Sequence, residues 1–287
     1  MESAIASRSF SLLPAWKLLC YLFLIVLCAL CIFPFFILIV NATRMHSEIL
    51  KGFSAAPGSS FAQNLRDLLG DPNIPVIRAL LNSVFISTCC AALTTYFSSM
   101  TAHGIYMYRF KLRGFAYNFI MIVMMVPTQV AALGFIKMII DAKLLDTYWP
   151  LIVPAIASPV VFFFMFQYMQ SVLPYEIVES ARIDGSNEFH TFNRIVVPIL
   201  SPAIAVQAIF SFVTNWNNYF MPTLIINSKN NKTIPILIAQ LRSADYQKFN
   251  YGKVYMLICF AIVPLLVIYL VLSRRIIHGV TMGSVKG

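Results

Sequence analysis

Glu176-Ile-Val-Glu-Ser-Ala-Arg-Ile-Asp-Gly185, continuing to Ile195-Val-Val-Pro198, is a charged stretch set between two long hydrophobic runs. From Tyr175 to Ile183 it reads as a short amphipathic helix, with Ile177, Ala181 and Ile183 on or near one face. Gly185 is the residue type that takes a left-handed turn at a helix C-terminus without steric cost. A second short helix, through Phe189, Phe192 and Ile195, leads to Pro198 at the head of the next run. A helix-turn-helix on a membrane surface, with an apolar face and charged flanks, is built to be gripped by another protein.

Outward from this stretch the chain is membrane-like. It has 287 residues, 59% of them hydrophobic and only 11% charged, against about 25% charged in soluble domains. About 20 apolar residues at 1.5 Å each cross a hydrocarbon core, and by that rule six spans are predicted near 17–40, 80–102, 116–138, 149–170, 199–221 and 255–273. Lipid offers backbone groups no partners, so the spans are helices, and the alternation of barrel strands is absent. The fold class is therefore an all-α integral membrane protein. One membrane domain, 1–287, holds the six spans, the polar loop 171–198 and a tail 274–287. The first apolar run is too long for a cleavable signal peptide, so the N-terminus is expected to stay in the mature chain.

The formal charge of +10 does not indicate nucleic acid, because the basic residues are dispersed over many loops. The positive-inside rule barely distinguishes the two orientations: with an inner N-terminus, ten of the 21 Lys and Arg residues fall inside. The six cysteines, Cys20, Cys28, Cys31, Cys89, Cys90 and Cys259, all fall within spans and read as small packing residues. Between their ends the spans are almost free of ionisable residues; Lys137 lies at the outer end of the third and His103 just past the inner end of the second. Intramembrane carboxylates and histidines mark proton relays, so a proton-coupled carrier is disfavoured. No Gly-x4-Gly-Lys-Ser/Thr loop, zincin motif or nucleophile elbow occurs. The chain thus has no nucleotide site and no catalytic constellation of its own, and is not read as an enzyme. Active transport through it would have to draw its energy from a partner at the polar loop.

The fifth span has one polar face: Gln207, Ser211, Thr214, Asn215 and Asn218 recur at three- and four-residue steps. These residues either line a pathway, offering amides and hydroxyls to a solute, or bond across helices with an interfacial belt at Trp216 and Tyr219. On the second span Ser83, Ser87, Ala91, Thr94 and Ser98 form a small-residue stripe that suits close helix packing more than pore lining, the alternative. Pro127, with Thr128 and Gln129, breaks the third span near its middle.

The pattern Glu179-Ser180-Ala181, three residues, Gly185, nine residues, Ile195, one residue, Val197-Pro198 resembles the EAA motif of ABC-importer permeases, with Ser180 and Val197 standing where Ala and Leu are usual. Thr214-Asn-Trp-Asn-Asn-Tyr-Phe-Met-Pro222 resembles a segment of sugar-importer permeases. Arg274-Arg-Ile-Ile-His-Gly-Val-Thr-Met-Gly-Ser-Val-Lys-Gly287 is similar to the tail of the smaller permease of maltose-type importers. The resemblance implies a type I importer permease fold in a bacterial cell membrane, with both termini cytoplasmic. It implies that Glu176, Glu179, Ser180, Ala181, Asp184, Gly185, Ile195 and Pro198 couple the chain to an ATPase, and that Gly283, Ser284, Val285, Lys286 and Gly287 reach the same partner. The implied partners are a second, different permease, two ABC ATPase subunits that bind ATP and Mg, an extracytoplasmic solute-binding protein facing the segment 222–253, membrane lipid and a carbohydrate, an oligosaccharide by the group resembled. No cofactor is expected in this chain itself. A stand-alone carrier or facilitator is the alternative.

Overall fold

The computed structural model describes residues 15–243 and 249–283, with side chains described for 16–243 and 249–271. Among these residues the chain is entirely helical and turn-connected. In order the helices are α1 Ala15–Ala42, α2 His46–Leu50, α3 Phe61–Leu69, α4 Val76–Met107, α5 Arg113–Met124, α6 Thr128–Asp141, α7 Trp149–Ile152, α8 Pro159–Val172, α9 Tyr175–Ile183, α10 Glu188–Thr191, α11 Val197–Ile199, α12 Ser201–Trp216, α13 Phe220–Ile225, α14 Ile234–Arg242 and α15 Tyr251–Gly283. Among the described residues four stretches are long and apolar enough to cross a membrane, and up to six if each of two bent helix pairs is one span.

The bent pairs fall where the sequence removes helical hydrogen bonds. α5 and α6 meet at 97°, across a break that ends at Pro127, whose extended ψ of 126° starts α6. The third predicted span is therefore two helices. The fifth is also shorter than expected. α12 ends at Trp216, and Phe220–Ile225 forms a separate turn of helix. The second is longer: α4 runs on to Met107 and takes His103 inside it, buried, edge-on to Tyr108 and tilted against Phe192.

α4 is the central helix and packs against α8, α12 and the α7 segment. Its small stripe makes this possible. Thr94 Oγ1 donates to Ala155 O at 2.8 Å, Ser98 Oγ to Ser158 O at 3.4 Å and Cys90 Sγ to Leu151 O at 3.3 Å. α1 leans on α15, and only its last turn is buried. Two apolar cores close the ends. One joins Leu68, Val76, Leu237 and Leu257 around α14 and the start of α15. The other joins Tyr106, Phe166 and Met169, at the ends of α4 and α8, to Val178, Phe192 and Val196 of the polar loop.

Candidate functional site

The polar loop is a folded unit seated on the second of those cores. Pro174 sets an extended backbone before α9. Val178 and Ala181, the latter only 6% exposed, turn into the chain. At the far end Gly185 has φ of +82°, Ser186 N donates to Ala181 O at 3.0 Å and Gly185 N to Arg182 O at 3.0 Å, the bond pair of a Schellman C-cap. Two residues on, Asn187 Oδ1 accepts from His190 N at 2.8 Å and starts α10. Thr191, fully buried, ties back to Ser186 Oγ at 2.8 Å. A π-helical stretch, Phe192–Val196, then carries the chain to Pro198 and α12, with an 81° bend at Leu200.

A polar clamp closes the turn. Arg182 Nε donates to Glu188 Oε1 at 2.7 Å, and its guanidinium lies 5.2 Å from the Tyr108 ring centroid. The Tyr108 hydroxyl donates to the other Glu188 oxygen. Burial, reinforced by this carboxylate, raises the Tyr108 phenol above its ordinary range. Beside it, Tyr175 OH donates to Tyr106 O at 3.1 Å and Tyr106 OH to Leu173 O at 3.3 Å. The loop is thereby bonded to the end of α4, which is itself bonded to the end of α8.

Burial corrects one expectation about this loop. Ile177, Ala181 and Ile183 do not share a face: Ala181 packs inward, whereas Ile183 is 86% exposed and Ile177 is also exposed. The outward surface includes Glu176, Ile177, Glu179, Ser180, Ile183, Asp184 and Phe189. Ile195 is half-buried and Pro198 exposed. Of the tail, Gly283 ends α15, while Ser284, Val285, Lys286 and Gly287 lie outside the described residues.

A cavity of about 1030 Å³ opens between α4, α6, the α7–α8 segment and α12, at the large end of ligand sites, which span about 300–1,000 Å³. All five predicted residues, Gln207, Ser211, Thr214, Asn215 and Asn218, line it. Their bonds stay local: Asn215 Nδ2 donates to Ser211 O at 2.8 Å and Asn218 Oδ1 accepts from Met221 N at 3.4 Å. Trp216 is no interfacial anchor. It is 2% exposed and stacks on Phe212 with centroids 5.6 Å apart, on the side facing α4 and α15. The α4 stripe both packs and lines, since Ser83, Ser87 and Thr94 reach the cavity too. Sequence reasoning missed Thr233, Phe135, Phe164 and Phe210 on its wall; only the one-sided spacing of Ser83, Ser87 and Thr94 could have hinted at its second side.

At the opposite end from the polar loop, Asp146 organises the connections. Its Oδ1 accepts from Asn227 N at 2.9 Å and Ser228 N at 2.8 Å, and its carbonyl from Asn231 Nδ2 at 2.8 Å. Asn82 Nδ2 donates to Asn230 O and Lys232 O. The segment Ala244-Asp-Tyr-Gln-Lys248 lies outside the described residues.

Residues 94–278, which hold the loop and most of the cavity and of α15, match the family of binding-protein-dependent transport system inner membrane components. The chain belongs to this family. It is 34% identical over 272 residues to the arabinooligosaccharides transport system permease protein AraQ of Bacillus subtilis, covering 93% of this chain and 94% of that one. It is 31% identical over 257 residues to the lactose transport system permease protein LacG of Rhizobium radiobacter, covering 90% and 92% respectively. Its fold matches, with a TM-score of 0.75 and 17% identity over 95% of this chain and 99% of the other, a chain of a bacterial ABC transporter that imports the acidic polysaccharide alginate. The chain is thus an ABC-importer permease subunit, with the all-helical membrane fold of that class.

Proposed function

We propose that this permease carries carbohydrate, and that it forms half of the pathway beside a second, different permease, driven by two ATPase subunits that hold ATP and Mg and fed by an extracytoplasmic solute-binding protein. The sugar permeases among its relatives support the solute class. The continuity of the polar loop with the cavity wall supports the coupling. Val178, Phe192 and Val196 share one core with Met165, Phe166 and Met169 of α8 and Ala102 to Met107 of α4, and the same two helices present Thr94, Val161 and Phe164 to the cavity. A displacement of the loop is carried as a rigid body into the wall.

In this reading the exposed Glu176, Glu179, Ser180 and Asp184 meet the ATPase together with Ile183, while the buried Ala181 seats the loop and Gly185 makes its turn. Ile195 and Pro198 set the return into the membrane. The C-terminal residues Gly283 to Gly287 approach the same partner. The loop and both termini are cytoplasmic, and the connections around Asp146 and Lys229 face the binding protein. Hydrolysis belongs to the partner subunits, since this sequence holds no nucleotide-binding loop.

The test is co-purification of the tagged chain from its native membrane in mild detergent, with partners identified by mass spectrometry. An ABC ATPase and a second permease are expected, and both are expected to be lost in Glu179→Arg. Recovery of the chain alone, with uptake that survives ATP depletion, would overturn the proposal in favour of a facilitator.

A further inference from the structure

Two hydroxyls on the cavity wall have no hydrogen-bond partner among the described residues: Ser87 Oγ of α4 and Thr233 Oγ1 at the head of α14. Ser87 is 1% exposed and Thr233 5%, and both line the cavity. Buried hydroxyls are nearly always bonded, so both are groups whose partner comes from whatever fills the space. Across from them stand the amide of Gln207 and the hydroxyl of Ser211, also on the wall.

The wall holds no ionisable side chain among the described residues. A carboxylate or phosphate entering it would lose water without gaining the Arg or Lys contact that such groups require when desolvated. The start of α8, which stands on the wall, adds little for an anion: Pro159 has no N–H, and Val161 N is taken by Ser158 Oγ at 3.5 Å. What the wall offers is neutral donors and acceptors beside the apolar rings of Phe135, Phe164 and Phe210. That is the chemistry of a neutral polyhydroxylated solute, with hydroxyls for the polar groups and C–H faces for the rings.

We infer that this subunit itself binds solute, through Ser87 and Thr233 with Gln207 and Ser211, and that the solute is a neutral saccharide or polyol and not a phosphorylated or uronate one. The inference rests on the cavity being half of the transport pathway, as proposed above. It assigns solute contact to this chain in addition to any made by its partner permease.

Saturation-transfer NMR on the purified complex, without binding protein, tests it. The probes are lactose, maltotriose and arabinotriose against an alginate trisaccharide and glycerol 3-phosphate. At least one neutral probe should show transfer and neither anion should. The double variant Ser87→Ala with Thr233→Val should weaken that neutral probe by about fivefold or more, the scale of one or two neutral hydrogen bonds. Its melting temperature should hold or rise, because the removed hydroxyls bond nothing among the described residues; a merely structural role would lower it. A complex that retains its ATPase yet binds no neutral probe, binds an anion better, or binds the variant equally overturns this inference and leaves the importer reading intact. A chain that recovers no ATPase overturns both.

Discussion

Arg182 and Glu188 are bonded at 2.7 Å across the Gly185 turn, and Glu188 is shared with the Tyr108 hydroxyl at the foot of α4. The two halves of the loop are therefore fixed to each other and to a helix of the cavity wall by a single carboxylate. Both partners are roughly one-third to one-half exposed, 34% and 46%. Such a pair contributes under about 1 kcal/mol to stability, so its value lies in geometry.

Glu188→Gln should accordingly leave the melting temperature of the complex almost unchanged while lowering solute transported per ATP hydrolysed by roughly fivefold, a coupling loss of ordinary size. Uptake and phosphate release measured together in proteoliposomes give this ratio. An unchanged ratio would remove the clamp from the coupling path.

Gly185→Val should uncouple transport without preventing membrane insertion. A Cβ at Gly185 would meet nothing within 4 Å, yet the residue sits at φ +82°. The penalty is therefore backbone strain, about 1–2 kcal/mol, worse for a β-branched side chain. Gly185→Asn, which tolerates that region, should retain most of the uptake lost by the valine variant. Equal uptake by both variants would dissociate the turn from function.

The loop was legible in the sequence because its determinants are local. The 3.6-residue period gives Tyr175–Ile183 and the offset glycine gives the cap. Which face turns inward was not legible: Val178 is chosen by a surface made of Phe166 and Met169 of α8 and Tyr106 of α4, outside its own helix. The polar stripe of α12 carried its own periodicity, and all five residues reach one cavity. Ser87 resembled its packing neighbours because the same small hydroxyl serves both uses. Asp146 gave no sign, since its partners lie 81 and 82 residues away. Trp216 misled because aromatic residues favour interfaces as well as cores.

Asp146 sets a pH dependence. Burial pushes its carboxyl up, but the amides of Ser228 and Asn227 and the side chains around it outweigh this and hold it below the ordinary carboxylate range. A depressed folded value contributes stability above the unfolded value, about 3.9, and loses it as pH falls through the folded one. The loop at residues 227–231 should therefore be anchored at neutral pH and loosen only below about pH 4. Hydrogen exchange of the Asn227 and Ser228 amides, followed from pH 7 to pH 3, would report it. Asp146→Asn keeps a residue suited to its φ of +60° and should already exchange faster at pH 7; identical rates in both proteins would show that the charge holds nothing.

Trp216 and Asn215 are neighbours in sequence with opposite surroundings, and their truncations should separate stability from transport. Trp216 is enclosed between α4 and α15 and stacks on Phe212 at an interplanar angle of 18°. Trp216→Ala leaves a void whose cost in a packed core is about 3–5 kcal/mol, so the yield of assembled complex and its melting temperature should fall sharply. Asn215 stands on the cavity wall, and its side-chain bond returns to Ser211 O within the same helix. Asn215→Ala should leave the stability within about 0.5 kcal/mol of wild type and raise the apparent KM for uptake. The reverse pattern, a stable Trp216→Ala complex with altered uptake beside an unstable Asn215→Ala one, would mean that α12 is turned by half a helical face in the working transporter and that the cavity is not its pathway.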